Sequence, residues 1–269
     1  MSQPQKETTP SFFNPHLIPH YWQSLKPSVN VPELLVDEWK RKVEFMDEVS
    51  IQNNAVVFLW NAYTNRFLYM SDKLKIFSGI DPTLFTAENG VENVLNHIHP
   101  DHVRPVLLMI QQLVINFCAD YNVEDYKDVK ICFNYLFRND LGEYMQILQR
   151  PVILEVDQNN KPILILNSTY HVEYIKRPGS VGGMVIYGNK TYLFDYNSGS
   201  GRIEPVKSFS LQEITVLQLL GKGFDTKTIA EKLFISPNTV DTHRRNLIKK
   251  ANCMDTTGVV AFARMTGLI

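Results

Sequence analysis

The residues best suited to do chemistry in this chain lie between Ser236 and Lys249. Ser236-Pro237-Asn238-Thr239 sets a capping hydroxyl, a proline fit for the first helical position and small polar residues in a row, so a helix starts sharply there. At about 100° per residue, Val240, Leu247 and Ala251 gather on one side of that helix, and Thr242, Arg245, Asn246 and Lys249 on the other. Such polar side chains hydrogen-bond base edges and phosphate oxygens. The chemistry is recognition of a polyanion, not bond-making. An isolated stripe of this composition would be read as a solvated helix face, so the elements around it decide.

Those elements are short capped helices. Ser210 stands three residues before Glu213, a capping box that opens an apolar-periodic helix through Ile214, Leu217 and Leu220, and Gly221 and Gly223 close it. A second helix follows from about Asp225, with Ile229, Ala230 and Leu233 inward. Two short helices joined by a tight turn read as helix-turn-helix.

The run from Phe209 to Ile269 resembles the LuxR-type (GerE) helix-turn-helix family: Leu211, Glu213, Val216, Leu217, Gly223, Ile229, Ala230, Leu233, Ser236, Thr239, Val240 and His243 stand at positions matching its pattern. The resemblance implies an all-α four-helix DNA-binding domain with its third helix in the major groove and its fourth, about Thr256 to Thr266, as a dimerisation surface. It places Asp241, Thr242 and Arg245 at base-reading positions. Ser236, Asn238, Thr239, Arg244, Asn246 and Lys249 become candidates for phosphate or flanking contacts, although Arg244 points by its helical angle towards the domain. His243 is implied to pack at the helix interface. Three departures stand out: Asp241 where many members carry a lysine, Ala251 in place of a leucine, and Thr256-Thr257 in place of an Asn-Arg pair.

Charge is distributed in keeping with this. From Val206 onward nine Lys/Arg face five acids, leaving eighteen bases and twenty-three acids before it, so a +4 end is attached to a −5 body. Because each phosphate contact contributes through counterion release, +4 per protomer predicts useful affinity mainly as a homodimer.

The chain of 269 residues fits two domains, and 44% hydrophobic with 20% charged is the composition of soluble globular protein. The richest apolar run, Val106 to Cys118, is broken by Gln111, Gln112 and Asn116, and the polar start MSQPQKETTP is not a secretory leader. Cys118, Cys132 and Cys253 form no close pair and no zinc-ligand spacing. A cytoplasmic protein without a membrane span or metal site is the expectation.

Residues 1–50 read as an irregular, proline-rich segment followed by an amphipathic helix through Leu35, Trp39, Val43 and Met46, which either caps the next domain or pairs with a second copy. Residues 51–176 then show two strands (Ala55 to Trp60, Arg66 to Ser71), short helical pieces, a longer helix from about Pro100 to Ala119, and three strands (Val129 to Arg138, Tyr144 to Glu155, Pro162 to Tyr174). That order, with Phe77-Ser78-Gly79-Ile80 and His97-Ile98-His99-Pro100-Asp101-His102, resembles a PAS domain. The resemblance implies a five-stranded antiparallel sheet with helices on one face, used for sensing, dimerisation or both.

The cofactor of such a domain is left unknown. His97, His99 and His102 read as structural or solvated instead of haem ligands, and neither Cys118 nor Cys132 has a flavin-adduct context. The alternating strand Ile131-Phe133-Tyr135-Phe137 suits a cofactor cavity or a plain core. No phosphoacceptor constellation appears. Residues 177–205 read as a linker with a short hairpin, Met184 to Tyr187 and Thr191 to Tyr196, which braces or merely spaces the domains, and 206–269 as the DNA-binding domain.

The sequence thus points to an α+β chain: a PAS-like sheet domain followed by a LuxR-type helix-turn-helix, acting as a one-component transcriptional regulator on double-stranded DNA, with RNA polymerase a further candidate partner. The alternative is a PAS-mediated interaction module with a degenerate helix-turn-helix. Neither a Gly-rich nucleotide loop nor a Ser/Cys-His constellation supports an enzyme.

Overall fold

The computed structural model describes residues 26–49, 55–120, 123, 125–173 and 180–269. The expected irregular start falls largely outside them, as do residues 177–179 at the start of the expected linker. In chain order the elements are α1 (Glu33–Val49), β1 (Val56–Asn61), β2 (Arg66–Met70), α2 (Lys73–Ser78), α3 (Thr83–Thr86), α4 (Gly90–His97), α5 (Pro100–Met109), α6 (Phe117–Asp120), β3 (Val129–Arg138), β4 (Tyr144–Val156), β5 (Pro162–His171), β6 (Gly182–Tyr187), β7 (Lys190–Asn197), β8 (Arg202–Val206), α7 (Leu211–Gly221), α8 (Thr226–Leu233), α9 (Pro237–Lys250) and α10 (Thr256–Thr266). Wide π turns over Ile110–Asn116 join α5 to α6.

The strands form one antiparallel sheet in the order β2-β1-β5-β4-β3-β6-β7-β8. The PAS-like plan of an antiparallel sheet with helices on one face is present, but with eight strands instead of five. The segment read as a linker is the reason: its hairpin supplies two of the three further strands, and β8, which was not expected, the third. Its first strand, β6, pairs with β3 from Val129 opposite Tyr187 to Phe133 opposite Gly183, and β7 and β8 continue outward. Without β6 the long strand β3 would expose a row of backbone N–H and C=O groups, so the extra strands satisfy an edge that a five-stranded sheet leaves open.

The sheet separates two cores because side chains alternate across it. On β3, Ile131, Phe133, Tyr135 and Phe137 join the core beneath α2 to α6. Cys132 on β3, Leu148 on β4, Met184 on β6 and Leu193 on β7 instead share a core with Phe209, Val216, Leu217, Val240, Leu247 and Phe262 of the C-terminal segment. The helical domain is therefore docked on the back of the sheet. Lys130 Nζ donates to Gly267 O at 3.1 Å, Asn252 Nδ2 to Ser180 Oγ at 3.1 Å, and Ser208 Oγ to Thr191 O.

Helix α1 lies along the start of the sheet domain. Trp39 Nε1 donates to Glu155 at 2.8 Å, and Asp47 receives Lys73 Nζ and the Tyr69 hydroxyl, each at 2.8 Å. Leu34, Phe45, Met46 and Val49 on the same helix are exposed.

The three histidines of the motif have local structural partners. His99 caps α5 by accepting the Asp101 N–H, and the His102 ring, buried within α5, accepts the Leu136 N–H at 3.0 Å. His97 ends α4, with its Nδ1 2.7 Å from Asn93 O and its ring stacked on Phe137. No helix among the described residues is long and apolar enough to cross a membrane.

Candidate nucleic-acid interface

Each of the four C-terminal helices begins on a side chain that receives an otherwise unbonded backbone N–H. Ser210 accepts from Glu213 N while Glu213 accepts from Ser210 N, completing the capping box. Asp225 accepts from Thr228 N, Ser236 from Thr239 N, and Asp255 from Gly258 N. The turn between α8 and α9 is tight because Phe234 takes a left-handed conformation, φ 55°, and its ring is 95% exposed. Val216, Leu217, Ile229, Ala230, Val240 and Leu247 form the buried centre.

That packing leaves one face of α9 free. Asn238, Asp241, Thr242, Arg245, Asn246 and Lys249 are all exposed, whereas Val240 and Leu247 point inward. Arg245 Nη2 donates to Thr242 Oγ1 at 3.1 Å, and Thr242 Oγ1 donates to Asn238 O at 2.9 Å, so three of these residues form a line along the helix. Ser236 and Thr239 are exposed at its N-terminus, where their hydroxyls lie 2.9 Å apart. His243 is half-buried.

Arg244 is differently placed. Its Nη1 donates to Thr226 Oγ1 at 2.7 Å and lies 3.5 Å from Asp241 Oδ1, while Nε and Nη2 reach Thr256 Oγ1 at 3.3 and 3.1 Å. Thr226 Oγ1 also donates to Asp241 at 3.3 Å. One guanidinium thus ties together the first residues of α8 and α10 and the middle of α9. Sequence reasoning missed Thr226 and Thr256. Their only common signal is a threonine directly after an aspartate cap, Asp225 and Asp255, and nothing local says that both face one arginine.

A second concave feature lies on the other side of the sheet. A cavity of about 100 Å³ opens between the sheet and helices α2 to α5, lined mainly by aromatic and aliphatic side chains, with Tyr135, Gln149, Asn167 and Thr169 at one edge.

A capped helix-turn-helix that presents one polar, solvent-exposed helix face defines a DNA-binding regulatory domain. Residues 207–263 match the family described as "Bacterial regulatory proteins, luxR family". The match is confined to the C-terminal helical segment, which follows the eight-stranded sheet. Among curated relatives, the oxygen regulatory protein NreC of Staphylococcus epidermidis is 28% identical over 184 residues, covering 66% of this chain and 83% of the relative. The uncharacterized transcriptional regulatory protein YxjL of Bacillus subtilis is 39% identical over 66 residues, covering 24% of this chain and 30% of its own length. Of solved structures, a VqmA–ligand–DNA complex from Vibrio cholerae overlaps 84% of this chain and 87% of its own at 12% identity and a TM-score of 0.30. The N-terminal domain of a diguanylate cyclase with PAS/PAC sensor from Marinobacter aquaeolei overlaps 44% and 94% at 17% identity and a TM-score of 0.32. At those scores neither overlap places individual residues.

Proposed function

We propose that this protein is a cytoplasmic, homodimeric one-component transcriptional regulator, in which α9 enters the major groove of operator DNA and the sheet domain senses a signal. The exposed line Asn238–Thr242–Arg245 on a helix of a LuxR-type domain carries this reading. Asp241, Thr242 and Arg245 are assigned to base edges, and Ser236, Asn238, Thr239, Asn246 and Lys249 to phosphates or flanking contacts. Arg244 is assigned a positioning role, because Thr226, Thr256 and Asp241 already engage its guanidinium. RNA polymerase is the natural further partner of such a regulator.

The sheet supports a sensing role because it is a wall shared by the cavity and the DNA-binding helices. Phe133, Ile147 and Gln149 line the cavity, while their neighbours Cys132 and Leu148 meet the C-terminal core. A change at the cavity therefore has a short route to the docked domain.

Selection of bound fragments from random DNA, followed by fluorescence anisotropy across a salt series, tests the function. Arg245→Ala is expected to erase preference for the selected site, since a bidentate Arg–guanine pair contributes about 1–3 kcal/mol of discrimination. Lys249→Ala is expected to weaken binding to all sequences alike and to lower the salt slope by about one unit. No salt-dependent binding by the wild-type protein would refute the reading.

A further inference from the structure

We infer that the cavity takes a small, uncharged, ring-sized molecule carrying one hydrogen-bonding group, which Thr169, Asn167 and Gln149 read at its polar edge; this deepens the reading of the sheet domain as a sensor and rests on it. Size is the first constraint. At about 100 Å³ the space is of the same order as, and somewhat smaller than, the ~150 Å³ cavity that holds a benzene ring, so it suits a single small ring of roughly six or seven heavy atoms and nothing larger. Tetrapyrroles and flavins are several times too large.

Charge is the second. Among the described residues the lining contains no Asp, Glu, Lys, Arg or His. Tyr135 is fully buried and burial raises its phenol well above the ordinary range, so it stays neutral. An ion brought here would lose its hydration without a counter-charge. Aromatic walls, among them Phe58, Trp60, Phe85 and Phe133, favour the faces and edges of a planar ring.

The third constraint is the polar edge. The Tyr135 hydroxyl donates to Gln149 Oε1 at 2.6 Å, and Gln149 Nε2 donates to Asn167 Oδ1 at 2.7 Å. Asn167 Nδ2 reaches Ile165 O at 3.3 Å. Each amide nitrogen has two N–H groups and makes one bond. Thr169, directly across from Gln149 in the sheet register, is buried with its Oγ1 unpartnered. A buried polar atom without a partner is unfavourable, and a chain of amides closed on one side and open on the other is completed by a group arriving through the cavity. The open capacity is two amide N–H groups and one hydroxyl. It calls for a carbonyl, hydroxyl or ring nitrogen on the incoming molecule.

Titration of the full chain with phenol, its isostere toluene and the anion benzoate, followed by ligand-observed NMR and calorimetry, tests this. Phenol is expected to bind, toluene to bind more weakly and benzoate not to bind. Thr169→Val, which keeps the shape and removes the hydroxyl, is expected to weaken phenol about tenfold and to leave toluene unchanged. Absence of phenol binding, equal binding of benzoate, or an unchanged phenol affinity in Thr169→Val overturns the assignment; a hydroxyl satisfied only by an ordered water would give the first or the third. Operator binding is measured alongside. Phenol binding that obeys the Thr169 test but leaves DNA affinity unmoved upholds the ligand class and overturns the sensor reading, whereas normal DNA binding with no phenol binding overturns the ligand class alone.

Discussion

The Lys250 ammonium lies 2.6 Å from Glu213 Oε2 although the residues are 37 apart in sequence, and their side chains are only 14% and 4% exposed. Lys250 also donates to Ser208 O at 2.8 Å, and Glu213 accepts the Ser210 N–H at 2.7 Å. One ion pair therefore joins the strand-to-helix connection, the first turn of α7 and the last turn of α9. Lys250→Met would leave the Glu213 carboxylate buried without its cation and is expected to destabilise the protein by about 3–5 kcal/mol in urea unfolding. Glu213→Gln combined with Lys250→Met should recover much of that loss.

The same pair sets a pH dependence. Burial by itself raises the Glu213 carboxyl, but the hydrogen bonds from Lys250 and Ser210 together with the Lys250 charge outweigh it and hold it below its ordinary 4.5. A carboxyl lowered in the folded state contributes fully above its unfolded value, and that contribution is lost as pH falls through the folded value. Stability measured on acidification is therefore expected to fall below about pH 4.5. Glu213→Gln should flatten that part of the curve.

Asp241 and Arg244 share Thr226, and this separates two roles for the residue that departs from the family pattern. Asp241→Lys puts two cations side by side. It should raise affinity for random DNA and steepen the salt slope by about one unit, while stability changes by no more than about 1 kcal/mol because the pair is partly exposed. Blurred selection at one base pair in sequencing of bound fragments would show that Asp241 reads a base. Unchanged preference would show that it serves only to hold Arg244.

At Thr169 the stability prediction runs opposite to the usual one for a core substitution. Valine in its place removes a buried hydroxyl that has no partner and keeps the volume, so Thr169→Val is expected to be neutral or stabilising by about 1 kcal/mol in the unliganded protein. A lowered unfolding midpoint would mean that the hydroxyl is satisfied in solution.

The cysteines report on docking. Burial pushes the thiols of Cys132 and Cys253 up to about 12, so neither reacts readily while covered. Cys132 sits on the sheet side of the shared core, beside Ala251 and Phe262, whereas Cys253 lies on its helical side, between α9 and α10. Time-resolved alkylation read by mass spectrometry should label Cys132 before Cys253, because separation of the domain from the sheet exposes the first and unfolding is needed for the second. Equal rates would mean that the two open together.

What the sequence by itself determined is what near neighbours encode. The capping box at Ser210 and Glu213, the sharp start at Ser236-Pro237 and the inward side of α9 follow from periodicity and caps within a few residues, and all are present; the extent of α10 from Thr256 to Thr266 came from the family resemblance and is present too. The meander β3-β4-β5 was legible for the same reason, since alternation and turn residues are local signals. What only the tertiary structure decided depends on distant partners. No local pattern says that β6 would close the edge of β3, that the helical domain would rest on the back of the sheet, or that Arg244 would meet Thr226 and Thr256. The polar edge of the cavity is of this kind too: Tyr135, Gln149, Asn167 and Thr169 come from three strands and meet only because the register aligns them, and register is set by the whole sheet and not by any one strand.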